Sequence, residues 1–259
     1  MGTSNLQHIP YMAELFRLVE PQKILDIGVG FGRWGIVAHE FLDVWYDKVN
    51  PLDWTLKIDG IEAFEPNIQD YHKHFYNNIF LGDAKEKIYE LDDDYDLMIF
   101  GDVLEHFTKE DGELLLQIGL KKSRYVIVAV PLGENWEQDE IYGNIYEKHL
   151  ASWYVDEFRL FHCVEGKLFK DYIDRTHGVF LLSIDNMSIP NDYIFDYYSF
   201  PNSQREQELL EMKNSNCQYE QELLEIKNSK TWKMIESLKA NYFINKIFSR
   251  LLSRIMKEQ

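Results

Sequence analysis

Short apolar runs of strand length alternate with segments of helical periodicity over the first 185 residues of the chain. The runs at 95–100 and 124–131 are apolar almost throughout, which is typical of strands buried on both faces of a parallel sheet. Helical patterns follow the first run, at 33–43, and separate the fourth and fifth runs, at 109–121. The predicted strands cover residues 23–28, 56–64, 77–83, 95–100, 124–131, 158–166 and 177–184.

This alternation predicts an α/β domain over residues 1–185, with a parallel sheet and helices on both of its faces. Residues 186–203 contain two prolines and no clear period, so they are predicted to be a linker. A repeat follows, in which EQELLE at Glu206 recurs as EQELLE at Glu220, two heptads later. The segment 206–230 is therefore predicted either as a short coiled coil that binds a second copy or a partner, or as an exposed helix left by a local duplication.

The tail, residues 204–259, ends in a segment with a strong apolar face. In 242–256, Lys246, Arg250 and Arg254 lie four residues apart and form a separate basic stripe. A basic amphipathic helix of this kind binds an anionic membrane surface or a partner, or packs on its own domain.

The charge of the chain limits the class of partner. The net charge is −17, while the segment from residue 227 onward carries eight basic and two acidic residues, so the body is acidic and the tail basic. An acidic body disfavours nucleic acid, because phosphates are bound chiefly by Lys and Arg. Cys163 and Cys217 form no metal-binding pair, and no signal segment or membrane-length apolar run is evident, so we expect a cytoplasmic protein.

A glycine-rich turn follows the first predicted strand and opens the first predicted helix. If the dinucleotide-binding pattern G-x-G-x-x-G is aligned to begin at Gly28, its third glycine is missing. If it is aligned to begin at Gly30, the pattern is met, but Asp26 and Gly28 have no role. The pattern Asp26-x-Gly28-x-Gly30-x-Gly32 uses all four residues. It resembles the first motif of the class I S-adenosylmethionine (SAM)-dependent methyltransferases, in which bare backbone lets the ligand approach closely.

The resemblance covers roughly residues 10–185 and implies a Rossmann-like, seven-stranded, mostly parallel sheet that binds SAM. Asp26 and the glycines would belong to the cofactor site. In this family an acid at the end of the second strand accepts the ribose hydroxyls, which assigns that role to Glu62. Asp83, after the third strand, corresponds to the acid near the adenine amino group, and Asp102, after the fourth, is assigned to the cofactor site as well.

The fourth strand is followed by Asp102-x-x-Glu105-His106, and no [N/D]-P-P-[Y/F] signature of amino-group methylation is present there. The stretch resembles the E-x-x-E-H of ubiquinone-biosynthesis O-methyltransferases and small-RNA terminal 2′-O-methyltransferases, and His149 resembles the histidine of their H-x-x-x-W segment. In the RNA enzymes such residues hold a divalent metal, which implies a Mg²⁺ or Mn²⁺ site formed by Asp102, Glu105, His106 and His149. Asp102, His106 and His149 are also the candidate catalytic residues, with either histidine as general base. The alternative is that Glu105 and His106 cap the following helix.

Residues 132–158, the acceptor loop, are predicted to cover the methyl acceptor. The loop is rich in the aromatic and acidic residues that sugar recognition uses, although aromatic rings also line phenolic and quinone pockets. Its aromatic residues are Trp136, Tyr142, Tyr146, Trp153 and Tyr154.

Three functions are consistent with these features. The first is an O-methyltransferase for a sugar hydroxyl in bacterial surface-polysaccharide biosynthesis, since NSKTWKMIESLK and the basic helix are similar to the ends of glycosyltransferases from such loci. Those enzymes would then be partners, and the protein would lie peripherally at the inner membrane face. The second is an O-methyltransferase for a phenolic or quinone-like molecule or an RNA end. The third is a non-catalytic, cofactor-binding scaffold of a glycan-assembly complex.

Overall fold

A computed structural model of the chain describes residues 6–91 and 95–185. The predictions for the linker 186–203 and for the tail 204–259, including the segments 206–230 and 242–256, lie outside the described residues. Within the two described ranges, every helix is too short or too polar to cross a membrane.

One seven-stranded sheet forms the centre of the domain, with the strand order β3-β2-β1-β4-β5-β7-β6. The first five strands run parallel, and β7 is antiparallel to both β5 and β6. The prediction of a Rossmann-like, mostly parallel seven-stranded sheet is therefore confirmed. The strands are β1 Lys23–Ile27, β2 Lys57–Glu62, β3 Asn78–Leu81, β4 Tyr95–Gly101, β5 Ser123–Pro131, β6 Cys163–Lys170 and β7 Thr176–Leu182.

Helices cover both faces of this sheet, as its two-sided apolar strands require. In β4, Leu97 and Ile99 join a core formed with α1 and α2. The alternate residues Met98 and Phe100 face the opposite way and pack against Gly119 of α4, where an added Cβ would lie 3.3 Å from the Met98 sulfur. The helices are α1 Ile9–Val19, α2 Arg33–Leu42, α3 Ala84–Glu90, α4 Lys109–Lys122 and α5 Val155–Arg159.

The predicted strand at 158–166 begins in the wrong place. Phe158 belongs to α5, and β6 runs from Cys163 to Lys170. The helix is favoured by reciprocal capping between Tyr154 and Glu157, and its apolar residue Phe158 stacks on Phe180 in the core. The aromatic residue that suggested a strand is therefore the buried face of a short helix.

The parallel strands end at one edge of the sheet, and the strand order reverses there between β1 and β4. In open α/β sheets such a reversal leaves a crevice beyond the carboxyl ends of the strands. The glycine turn after β1, Glu62 at the end of β2 and Asp102 after β4 all lie at this edge.

Candidate active site

A cavity of about 690 Å³ lies at the carboxyl ends of the strands, a volume in the range that small-molecule ligands occupy. One end, the cofactor end, is lined by the glycine turn and by the residues that follow β2 and β3. The other, the acceptor end, is lined by the segment after β4, by the acceptor loop and by the hairpin loop 171–175 between β6 and β7.

The glycine turn has a left-handed backbone at all three predicted glycines, with φ of 77° at Gly28, 52° at Gly30 and 76° at Gly32. Gly28 and Gly30 line the cavity, and a Cβ at Gly28 would come within 2.8 Å of Val103. Gly32 does not line it; it caps α2, where a Cβ would lie 2.8 Å from the His72 ring. The first two glycines thus leave bare backbone at the cavity, and the third allows the helix to start.

Glu62 is held rigidly at the cofactor end. Its Oε2 accepts a hydrogen bond from the Gly30 amide at 2.8 Å, and its Oε1 accepts one from the Phe64 amide at 2.8 Å. The side chain is buried and lines the cavity. Because each carboxylate oxygen has two lone pairs, Glu62 retains capacity to accept hydrogen bonds from a ligand.

Asp83 lines the same end of the cavity and also caps α3, where its Oδ1 accepts from the Lys85 amide at 2.9 Å. The helix-capping and ligand-facing interpretations of this acid are compatible. The ribose role of Glu62 and the adenine role of Asp83 stay predictions.

Asp26, like Gly32, is a predicted cofactor residue that does not line the cavity. Its side chain is fully buried, and Oδ2 accepts a 2.6 Å hydrogen bond from the Tyr76 hydroxyl, which in turn accepts one from the Gly35 amide of α2. Burial raises the pKa of Asp26 to about 7. The structure therefore gives this residue a place in the packing of the turn against α2.

Substitution of Asp26 by asparagine should change the pH dependence of stability. The folded-state pKa lies above the ordinary value of 3.8, so between about pH 4 and pH 7 the native chain holds a proton that the unfolded chain has released. The stability contributed by the protonated carboxyl is present at low pH and is lost as the pH rises through 7. An asparagine side chain cannot ionise, so the variant should be more stable than wild type at about pH 8 by a larger margin than at about pH 5.

Urea unfolding of both proteins at the two pH values measures this margin. An equal margin at both values would show that the buried carboxyl does not titrate in this range. Because Asp26 lies outside the cavity, titration with S-adenosylhomocysteine should give nearly the same affinity for the two proteins.

At the acceptor end, three of the predicted metal ligands come together. Glu105, His106 and His149 each offer one ligand atom, and these atoms lie within 4.8 Å of one another. The two imidazole rings are 5.0 Å apart, centre to centre. We call these three residues the acceptor cluster.

Backbone carbonyl groups fix the tautomer of both histidines in the acceptor cluster. His106 Nδ1 lies 3.2 Å from the Lys148 carbonyl oxygen, and His149 Nδ1 contacts the Trp136 carbonyl oxygen. A carbonyl only accepts, so each Nδ1 carries the hydrogen and each Nε2 is left with a lone pair. Burial lowers the pKa of both imidazoles, which favours the neutral state. This is the arrangement of a metal-ligating or proton-accepting histidine.

Glu105 is buried, and its Oε2 has no hydrogen-bond partner among the described residues. Burial, with a further contribution from Asp102, raises the pKa of the Glu105 carboxyl well above its ordinary value. The Glu105 carbonyl oxygen accepts from the Leu150 amide at 2.7 Å and from the Ala151 amide at 3.2 Å. These bonds tie the loop that carries His149 directly to Glu105.

Asp102 departs from the predicted four-residue metal set. It lines the cavity, but its Oδ1 accepts a hydrogen bond from His177 Nε2, and its Oδ2 lies 3.8 Å from His8 Nε2. Its backbone is left-handed, with φ of 54°. The two histidines thus draw the carboxylate into a separate group, and sequence analysis missed both of them.

The group of His8, Asp102 and His177 also brings one ligand atom from each residue within 4.8 Å. It fits a metal less well than the acceptor cluster does. A ligating histidine almost always donates its second ring N–H to a partner, and the Nδ1 atoms of His8 and His177 have none among the described residues. Burial lowers the pKa of His8 to about 4, so that ring is neutral. The group is better interpreted as a support that orients Asp102.

Only some of the predicted aromatic residues of the acceptor loop reach the cavity. Trp136 and Tyr146 line it. Tyr142 and Tyr154 are exposed and lie outside the lining. Trp153 is fully buried, packs inside the domain and does not line the cavity. Its role is to anchor the loop.

The cavity lining is acidic. Among the described residues, seven carboxylates line it against two guanidinium groups. Such a surface repels polyanions and suits neutral polar molecules or cations. The carboxylates are Glu62, Asp83, Asp102, Glu105, Glu137, Glu147 and Asp171, and the guanidinium groups are Arg33 and Arg175.

Several solved structures of methyltransferases resemble the chain. The N-terminal domain of EvdMO1, solved with SAH and D-fucose, is 13% identical with a TM-score of 0.48, and the match covers 70% of this chain and 84% of that one. The methyltransferase domain of the bacterial protein CtHen1 is 14% identical, with a TM-score of 0.43 and coverage of 69% and 98%. A SAM-dependent methyltransferase from Archaeoglobus fulgidus is 15% identical, with a TM-score of 0.46 and coverage of 68% and 94%.

Similarity at this level concerns the fold alone. No family model matches the chain, and no curated protein matches it either.

Proposed function

We propose that the protein is a SAM-dependent O-methyltransferase. The supporting observation is that one cavity joins a bare glycine turn and a rigid carboxylate, Glu62, to the acceptor cluster of Glu105, His106 and His149. A methyl donor bound at the first end and a hydroxyl bound at the second would meet inside one cavity, and such proximity is what transfer between them requires.

The acceptor cluster supplies the groups that act on the hydroxyl. The Nε2 lone pairs of His106 and His149 are available to take its proton, because each Nδ1–H is already bound to a backbone carbonyl. Both rings line the cavity, and we choose His149 as the candidate base because its loop is fastened to Glu105 by two backbone hydrogen bonds.

A divalent metal fits the acceptor cluster. Glu105 Oε2 is a buried oxygen without a partner among the described residues, and both histidines have the backbone hydrogen bonds that orient metal ligands. A bound ion would use the Nε2 lone pairs of His106 and His149, so metal ligation and general-base action by these rings are alternatives; the ion would act instead as a Lewis acid on the hydroxyl of the methyl acceptor. With Asp102 engaged elsewhere, one carboxylate and two imidazoles remain, a set that suits Mn²⁺ or another transition metal better than Mg²⁺.

A sugar hydroxyl is the methyl acceptor that the lining favours. Trp136 and Tyr146 offer aromatic faces, and Gln138 and Asn144 offer polar groups beside them. The excess of carboxylates disfavours an RNA end. On the sequence features of 206–230 and 242–256, we further propose action on surface-polysaccharide precursors, beside glycosyltransferases at the inner membrane face. A phenolic or quinone-like acceptor is the competing possibility, because the same aromatic faces suit it.

Transfer of radiolabelled methyl groups from SAM into fractionated cell extract tests this proposal. We expect label in the glycan or glycolipid fraction, lost on addition of EDTA and restored by Mn²⁺. The His149→Ala protein provides the matched background. Label in small phenolic molecules or in RNA would overturn the sugar proposal, and persistence of the label in EDTA would overturn the metal site. No label in any fraction would favour the scaffold hypothesis.

A further inference from the structure

Arg175 is held in a fixed position at the acceptor end of the cavity. Its Nε donates to Asp171 Oδ2 at 2.8 Å, and its guanidinium carbon lies 3.8 Å from the centre of the Trp136 ring. The Arg175 side chain is partly buried and lines the cavity. Stacking on one side and a hydrogen bond at Nε leave the guanidinium plane little freedom to rotate.

The hairpin loop that carries Arg175 is itself rigid. Asp171 Oδ1 accepts from the Ile173 amide at 3.0 Å and from the Arg175 amide at 2.8 Å, and the Asp171 amide donates to the Arg175 carbonyl oxygen at 3.0 Å. The loop therefore closes on Asp171, and the guanidinium group projects from a fixed base rather than from a flexible chain.

Part of the guanidinium group remains unused. The two terminal amino groups of Arg175 make no hydrogen bond to any described residue, since only Nε is engaged. These groups present paired N–H donors in the fork geometry that matches carboxylate and phosphate oxygens. A stacked, oriented fork with free donors at a cavity wall is suited to recognising an anion.

Trp136 links this group to the acceptor cluster. Its ring lies against the Arg175 guanidinium group, while its backbone carbonyl accepts from His149 Nδ1. A single residue thus separates the fork from the candidate base. An anionic group held by Arg175 would place the rest of the same molecule beside His149.

We propose that Arg175 forms a subsite for one anionic group, a phosphate or a carboxylate, of the sugar that is methylated. This inference rests on the proposed function and narrows it: the methyl acceptor is a charged sugar, such as a phosphate-linked precursor or a uronic acid, and not a neutral finished glycan. Arg33, the other cavity guanidinium group, follows the glycine turn at the cofactor end. The Arg175 guanidinium group can bind a single anionic group, while the surrounding carboxylates repel a polyanion.

Asp171 sets the strength of this subsite. It orients the Arg175 fork through Nε, but its negative charge cancels part of the attraction for an anion. Asp171→Asn would keep one oxygen for the two loop amides but would turn an NH2 group toward Arg175 Nε, where two donors meet. This change therefore removes the orientation of the fork and the opposing charge together, and Arg175→Lys, which keeps only the positive charge, is the variant that separates the fork from the charge.

The test uses the charge of the labelled product and two variants. Label transferred from SAM by the full-length wild-type protein should be retained on an anion exchanger. The product is then treated in two separate experiments, with phosphatase or with a carbodiimide and an amine. Loss of retention after phosphatase alone would identify the group as a phosphate, and loss after the carbodiimide alone would identify it as a carboxylate. A labelled product that is neutral before treatment would overturn the subsite while leaving the methyltransferase proposal intact; no label at all would contradict both.

With the corresponding unlabelled fraction of the extract as substrate, Arg175→Gln should lower kcat/KM about 10- to 100-fold. Arg175→Lys, which keeps the charge without the fork, should give a kcat/KM between those of Arg175→Gln and wild type. Arg124→Gln, a change of an exposed arginine on β5, is the control and should match wild type. Titration with S-adenosylhomocysteine checks that each variant still binds at the cofactor end. Equal kcat/KM for Arg175→Gln and wild type would contradict the proposal.

Discussion

Replacement of His149 by alanine is expected to lower kcat about 100- to 10,000-fold, with little change in affinity for SAM. The Nε2 lone pair of His149 is the proton acceptor best fixed at the acceptor end, because Nδ1 is bound to the Trp136 carbonyl and the neighbouring amides are bound to Glu105. Glu62 and the glycine turn lie at the other end of the cavity and keep their contacts. Glu105→Gln is expected to act in the same direction, since an amide cannot supply the carboxylate oxygen that the proposed metal site requires.

Single-turnover rates with saturating SAM, beside equilibrium titration with S-adenosylhomocysteine, separate turnover from cofactor binding. His74→Ala is the matched control, because His74 is an exposed histidine outside the cavity lining. Loss of cofactor binding in both the His149 and Glu105 variants would contradict their assignment to the acceptor end of the cavity.

Replacement of Trp153 by alanine is expected to destabilise the domain by about 3 to 5 kcal/mol. The indole is fully buried, stacks on Phe158 with ring centres 5.5 Å apart, and carries the Lys109 ammonium group 3.7 Å above its ring. A Cβ added at Gly112 would lie 2.6 Å from the indole, so α4 packs closely against it. Alanine would leave a cavity at this junction.

Urea unfolding measures the loss, and Tyr142→Ala, which changes an exposed aromatic residue of the same loop, should stay within about 0.5 kcal/mol of wild type. Because the Trp153 carbonyl accepts from Gly133 and the adjacent segment is bound to Glu105, the Trp153 variant should also lose methyl transfer. A fully active, equally stable variant would show that the indole does not anchor the loop.

The sheet was predictable from sequence because its central strands are buried on both faces and leave unbroken apolar runs. The start of β6 was not, since Phe158 is equally apolar as the inner face of α5 or as a strand residue. The helix α1 was also missed, although Pro10 in its first turn is a typical helix-start signal. Short amphipathic helices carry weak local patterns, and packing decides their structure.

Within the site, residues that belong to recognisable sequence motifs were predictable, and partners that belong to no motif were not. Gly28, Gly30 and Glu105-His106 follow local motifs at strand ends, and the structure brings them to one cavity. Asp102 was assigned to the metal set by the same motif, but His177, 75 residues away, engages its carboxylate. His8 and Arg175 likewise reach the site only through the folded sheet, and no spacing in the chain indicates their roles.

The lining of the cavity divides cleanly along the chain. Apart from Leu6 and Gln7, the cofactor end is supplied by residues 27–84, and the acceptor end by residues 101–177. The two ends can therefore change independently over evolution, because neither the acceptor loop nor the hairpin loop 171–175 supplies a residue to the proposed cofactor end. New acceptor preferences can arise in this scaffold through loop replacement, while the first half of the domain keeps its sequence.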